Sequence, residues 1–124
     1  MRLSENLSKN GIGVEVSDFS LADLTRKNIS FLRSKWVEYG LIVFPKIPLS
    51  HDEFKDFALS FGDFGDDPFI SSLPDYPNIA EIKRSANEKA TPFGGTWHSD
   101  WSFMKKPPSA TLLHSKIIPV SYTH

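Results

Sequence analysis

The interpretation of this 124-residue sequence depends on one segment, Trp97-His98-Ser99-Asp100-Trp101-Ser102-Phe103. On an extended chain, a residue and its second neighbour project to the same side. His98 and Asp100 form such a pair, so an imidazole nitrogen and a carboxylate oxygen can meet at one point. They are two of the three ligands of the facial triad that binds non-haem Fe(II). The residues alone leave two interpretations open: a metal site walled by aromatic rings, or an exposed ion pair.

The composition is that of a folded, soluble domain. Hydrophobic residues make up 40% of the chain and charged residues 23%, and the formal net charge is -1. This balance gives no reason to expect nucleic acid or an anionic membrane as a partner. No apolar run approaches the roughly 18 residues of a membrane-spanning helix. Cysteine is absent, which excludes disulfides and thiolate ligands. We expect a cytoplasmic protein whose first ten residues are frayed.

Residue spacing predicts both helices and strands. The clearest helix signal is a capping box at Ser50 and Glu53, followed by phenylalanines at helical spacing. Another predicted helix ends at Gly40, a residue type that favours the left-handed turn after a helix. The predicted helices cover residues 28–39 and 51–61, a helical turn covers 21–24, and the predicted strands cover 11–16, 41–44, 78–83 and 110–118.

Other titratable residues give weaker signals. The aspartates between residues 63 and 67 lack the alternating spacing of a calcium-binding loop and are expected to lie in a solvated turn. His51 falls in the first turn of a predicted helix and is expected to be exposed. His114 and His124 are the remaining histidines that could supply a third metal ligand.

Several motifs occur in a fixed order along the chain. The segment 97–103 fits the pattern W-H-[ST]-D-x-[ST]-F, and Pro107-Pro108 follows it. A helix ending in Ser60-Phe61-Gly62 precedes it, and a strand ending at residues 116–119 comes after it. Together these motifs, spread over residues 11–119, resemble the TauD/TfdA family of Fe(II)- and 2-oxoglutarate-dependent dioxygenases.

The resemblance implies an α+β fold, a double-stranded β-helix (jelly-roll) with flanking helices. Residues 1–124 would form a single incomplete domain, the N-terminal part of that fold. His98 and Asp100 are implied as the first two iron ligands. The third ligand, a distal histidine, and the threonine and arginine that bind 2-oxoglutarate are expected beyond residue 124. The chain is therefore expected to be a truncated member that is inactive alone.

The resemblance also implies a reaction. With Fe(II) as cofactor, 2-oxoglutarate and O₂ are consumed, succinate and CO₂ are released, and a small organic substrate is hydroxylated. Trp97, Asp67 and Phe69 resemble residues that line the substrate pocket. The loop at residues 63–72 lacks the His and Tyr of sulfonate-using members, so taurine is not expected as the substrate. Full-length relatives are expected to be homo-oligomers.

A second class of function stays open at this point. The chain could be a non-catalytic, cupin-like jelly-roll module that binds a metal or another ligand. In that case His114 or His124 would complete the metal site. A cupin normally shows two histidines near its first carboxylate, whereas segment 97–103 has one.

Overall fold

The computed structural model describes residues 1–6, 11–66 and 71–118. The chain divides into two compact units, Met1–Asp63 and Phe64–His124. That these units belong to a single incomplete domain stays a prediction. In chain order the elements are β1 (Arg2–Asn6), β2 (Val14–Ser17), a 3₁₀ turn (Leu21–Asp23), α1 (Arg26–Tyr39), β3 (Ile42–Val43), α2 (His51–Phe61), β4 (Ser72–Leu73) and β5 (Tyr76–Ala80).

A three-stranded sheet forms one side of the first unit. β2 lies in the middle, antiparallel to β1 and parallel to β3. Val14 and Val16 of β2 are buried on one face, as their alternation predicts. The expectation that the N-terminus is frayed is wrong for residues 2–6, which form β1. The sequence of β1 shows little of the alternation typical of strands, because an edge strand pairs through the hydrogen bonds of its backbone.

Both long helices are confirmed: α2 has the predicted ends, whereas α1 has the predicted end at Tyr39 but begins earlier than predicted, at Arg26. α1 begins after Thr25, whose hydroxyl accepts from the Asn28 amide, and it ends at Gly40, which has a φ of 72°. α2 begins with the predicted capping box: the Glu53 amide donates to the Ser50 hydroxyl, and the Ser50 amide donates to the Glu53 carboxylate. Each cap satisfies backbone N–H groups that the first helical turn leaves without partners.

The core of the first unit includes a cluster of aromatic rings around one buried phenylalanine. Phe57 of α2 is 6% exposed and meets the rings of Phe19, Phe44 and Phe61 with centroid separations of 5.3–5.9 Å. Leu32 of α1 is completely buried. The guanidinium of Arg33 donates to the Phe61 carbonyl at the end of α2. This contact ties the two helices together and satisfies one of the carbonyls left open at a helix C-terminus.

The strand predictions need correction, beginning with the one over 11–16, which is observed as β2 at Val14–Ser17. The strand predicted to be buried over 41–44 is reduced to β3, and Leu41 and Val43 are exposed because this short strand lies at the sheet edge. Residues 110–118 form no strand at all, although their composition predicts one. Within the described chain no strand pairs with them, and an apolar segment without a pairing partner gains no ladder hydrogen bonds.

The second unit contains a small antiparallel hairpin, β4 and β5. The strand predicted over 78–83 therefore starts and ends earlier, at Tyr76 and Ala80. The described residues show a mixed α/β chain with small sheets, which is compatible with part of the implied fold; the jelly-roll itself stays a prediction. Neither α1 nor α2 is long and apolar enough to cross a bilayer, and the described residues include no other candidate.

Candidate metal centre

His98 and Asp100 lie in a loop of the second unit rather than on a strand. Residues 94–100 have no strand pairing, and Trp101 turns the backbone with a φ of 52°, in the left-handed region. The two side chains nevertheless meet, with 3.0 Å between His98 Nε2 and Asp100 Oδ1. The imidazole is 50% exposed and the carboxylate 53%. The structure therefore brings the predicted pair together at a solvent-accessible point.

A backbone carbonyl orients the His98 ring. His98 Nδ1 lies 2.6 Å from the carbonyl oxygen of Thr96. Because a carbonyl can only accept, the proton of this hydrogen bond must be on Nδ1. The other nitrogen, Nε2, is then the one that faces Asp100. A histidine that ligates a metal commonly donates its second ring nitrogen to a carbonyl in this way, which fixes its tautomer and orientation.

A hydroxyl group holds the other side of the Asp100 carboxylate. Thr111 Oγ1 donates to Asp100 Oδ2 over 3.2 Å, so Oδ2 has its own partner while Oδ1 faces His98. Sequence reasoning missed Thr111 and the Thr96 carbonyl. Thr111 is eleven residues from Asp100 in a segment without periodicity, so no local signal points to it.

The described geometry is that of a charged pair. The hydrogen bond to the Thr96 carbonyl is the main cause that raises the pKa of His98 above its ordinary value; desolvation opposes it, and the negative charge and hydrogen bond of Asp100 add smaller raising effects. A neutral ring with its proton on Nδ1 would place a lone pair on Nε2 against Oδ1. Protonation of Nε2 removes that repulsion and makes the contact an imidazolium–carboxylate hydrogen bond.

Asp100→Asn is expected to lower the pKa of His98 in the metal-free chain, because the charge that favours the imidazolium is lost while the Thr96 carbonyl remains. The pair stabilises the loop at acidic pH, and this contribution is lost as pH rises through the raised pKa. NMR titration followed at the His98 ring carbons measures the pKa of His98 in the wild type and in Asp100→Asn. The ring of His51, which lies in the other compact unit, is the internal reference. An unchanged His98 pKa in Asp100→Asn would contradict the described contact.

The pair has suitable donors and spacing for a divalent metal. Two ligands at right angles, with bonds of about 2.1 Å, are separated by about 3.0 Å. That is the separation of Nε2 and Oδ1. Among the described residues no group of three His, Cys, Asp or Glu side chains is placed to hold a metal ion. His114 is half-buried elsewhere in the second unit, and His124 lies outside the described residues. The structure thus shows two donors of the expected three.

A shallow pocket of about 460 Å³ adjoins the pair. It is lined by residues 94–98, including Trp97 and His98. Among the residues that the structure describes, the expected aromatic wall is not formed, since Trp97 is fully exposed and Phe103 is also exposed. The turn that shapes the pocket requires glycine at position 95, where a Cβ would lie 2.9 Å from the Pro92 carbonyl oxygen. The other predicted pocket residues, Asp67 and Phe69, lie outside the described residues.

Comparison with known proteins gives the family. A family profile described as taurine catabolism dioxygenase TauD, TfdA family matches residues 4–121. The chain belongs to the TauD/TfdA family. Members of this family are dioxygenases, a class of oxidoreductase, that depend on Fe(II) and 2-oxoglutarate.

One curated relative is the (S)-phenoxypropionate/alpha-ketoglutarate-dioxygenase of Sphingobium herbicidovorans. It is similar to this TauD/TfdA chain, with 27% identity over 109 residues. The alignment covers 86% of this chain but 38% of the relative. The chain thus spans well under half of the relative's length, and it includes the segment that carries the His98–Asp100 pair.

Proposed function

We propose that this chain supplies the first two iron ligands, His98 and Asp100, of an Fe(II)- and 2-oxoglutarate-dependent dioxygenase. One observation carries the proposal: Nε2 and Oδ1 lie 3.0 Å apart, and each side chain is oriented by a further hydrogen bond. An ion pair on an exposed loop does not require these two further contacts. Metal ligands do, because their partners fix the ring and the carboxylate before the ion arrives.

The chain's own groups have defined tasks in this function. His98 releases its Nε2 proton to bind, while Nδ1 keeps its hydrogen bond to the Thr96 carbonyl. Asp100 binds as a carboxylate through Oδ1. When bound, Fe(II) supplies the oxidative decarboxylation of 2-oxoglutarate by O₂ to succinate and CO₂, with hydroxylation of the substrate. Since the described residues offer two of three protein donors, we expect no turnover from them alone.

The proposed substrate is a small organic molecule that approaches beside Trp97. The pocket lined by residues 94–98 supports this because it opens directly next to the His98 ring. Asp67 and Phe69 stay proposed pocket residues. Phenoxypropionate, named for the relative, is the first compound to test. A cytoplasmic location, the jelly-roll and homo-oligomeric assembly of the complete enzyme belong to the same proposal.

Mn(II) added to ¹⁵N-labelled chain is expected to broaden the amide signals of residues 96–102 first. Mn(II) is the probe because it shares the imidazole and carboxylate ligands of Fe(II) sites, is stable in air and is paramagnetic. Substoichiometric additions followed by NMR measure the effect. Broadening confined to the exposed carboxylates of α2, such as Asp52 and Asp56, would contradict the proposal.

The same titration separates the catalytic proposal from the cupin-like alternative. A site with two protein donors binds weakly and reversibly. Tight, stoichiometric binding that is lost in His114→Ala or His124→Ala would instead show a completed site, and would support a non-catalytic metal-binding module.

A further inference from the structure

We propose that Thr111 is a positioning residue that orients the Asp100 carboxylate toward the metal. This inference rests on the proposed function, since it assigns a task within the same centre. Thr111 Oγ1 donates to Asp100 Oδ2 over 3.2 Å, while Oδ1 faces His98 Nε2. The hydroxyl therefore gives the two carboxylate oxygens different surroundings. Oδ2 is hydrogen-bonded to Thr111, and Oδ1 faces the point where the metal would bind.

An exposed aspartate needs such a partner because its carboxylate is otherwise free to turn. Asp100 is 53% exposed, so packing alone does not select one rotamer. Its χ2 torsion is broad and roughly two-fold, which lets the two oxygens exchange places. A hydrogen bond to one oxygen selects the χ1 rotamer that reaches Thr111 and also removes that exchange. The conformational entropy of the side chain is then already lost in the metal-free chain, so ordering it does not reduce the affinity for the metal.

Threonine is well suited to this task. Its β-branched side chain is stiff at χ1, so the hydroxyl keeps its direction. Pro107 and Pro108 precede it and restrict the backbone that leads to it. A neutral hydroxyl donor also leaves the negative charge on the carboxylate, whereas a lysine or arginine at this point would compete with the metal for it.

Thr111→Val, which keeps the shape and removes the donor, is expected to weaken Mn(II) binding at residues 96–102 by about 10- to 100-fold, the usual effect of losing a ligand's hydrogen-bond partner. Thr111→Ser keeps the hydroxyl and is expected to stay within about threefold of the wild type. Thr91→Val makes the same chemical change in the same unit without removing a described hydrogen bond to the pair, and is expected to have no effect. The free Mn(II) signal in EPR measures all four affinities.

A second measurement needs no metal. Three-bond couplings from Asp100 N and C′ to Cγ report its χ1 rotamer in the metal-free chain. We expect one dominant rotamer in the wild type and in Thr111→Ser, and rotamer averaging in Thr111→Val with an unchanged far-ultraviolet CD spectrum. If the wild type fails to bind Mn(II) at residues 96–102 but the couplings behave as expected, the iron-site proposal fails and the positioning by Thr111 stands. Equal couplings in wild type and Thr111→Val would overturn the positioning proposal, whatever the metal does.

Discussion

His98→Ala is expected to remove site-specific Mn(II) binding from residues 96–102. The substitution deletes the nitrogen donor and leaves Asp100 as an exposed carboxylate, whose attraction for a cation in water is strongly reduced by the high dielectric constant. The loss of Mn(II) affinity should exceed about 100-fold, which is the upper end of the usual effect of removing a ligand's hydrogen-bond partner. Paramagnetic broadening in NMR and the free Mn(II) signal in EPR measure it together.

Two variants make this result specific. His51→Ala removes a histidine from the start of α2, in the other compact unit, and should leave the broadening of residues 96–102 unchanged. Asp100→Asn keeps an oxygen of similar shape but loses the charge, and should weaken binding nearly as much as His98→Ala. Retained broadening at residues 96–102 in His98→Ala would show that the imidazole is not a ligand.

Phe57→Ala is expected to have the largest effect on folding, with a loss of about 3–5 kcal/mol in the free energy of unfolding. Phe57 is 6% exposed and its ring packs edge-on against Phe19 and Phe44, with centroids 5.9 and 5.3 Å away. Truncation leaves a cavity among rings that cannot easily collapse. A unit the size of Met1–Asp63 has a total stability of roughly 3–9 kcal/mol, so much of it would be lost.

Urea unfolding followed by CD at 222 nm tests this expectation, because α1 and α2 carry most of the helical signal. Val37→Ala is the matched control: it removes apolar atoms from α1, but Val37 is 82% exposed. Its effect should stay within about 0.5 kcal/mol. If the two variants unfolded at the same urea concentration, the aromatic cluster would not be the core of this unit.

The elements predicted well are those whose signals are local. The Ser50–Glu53 capping box and Gly40 specify helix ends through contacts within one turn, and both are confirmed. The composition of segment 110–118 predicts a strand as strongly as these signals predict the helix ends. The segment nevertheless forms no strand, because a strand exists only where another strand pairs with it. β1 shows the converse: residues 2–6, four of which are polar, form a strand because β2 offers a pairing edge.

The candidate site likewise combines a local feature that the sequence predicts with contacts that it does not. The sequence predicts that His98 and Asp100 project to the same side of an extended segment; they meet in a loop, because the side chains of second neighbours can converge in a bent segment as well. The hydrogen bonds of the Thr96 carbonyl and the Thr111 hydroxyl were not predicted. Every residue has a backbone carbonyl, so the sequence does not show which one binds His98. The contact of Thr111 with Asp100 spans eleven residues, and it depends on the path of the loop between them.

The short range of the His98 contacts has a consequence for the order of assembly. Its partners, Thr96 and Asp100, lie two residues away on either side. Their meeting needs no long loop closure, whose entropic cost grows with the number of residues enclosed. The contact from Thr111 closes a loop of the size that forms within about 10–100 ns in a flexible chain. Under the proposed function, metal binding by this pair therefore need not wait for β2, α1 and α2 to fold.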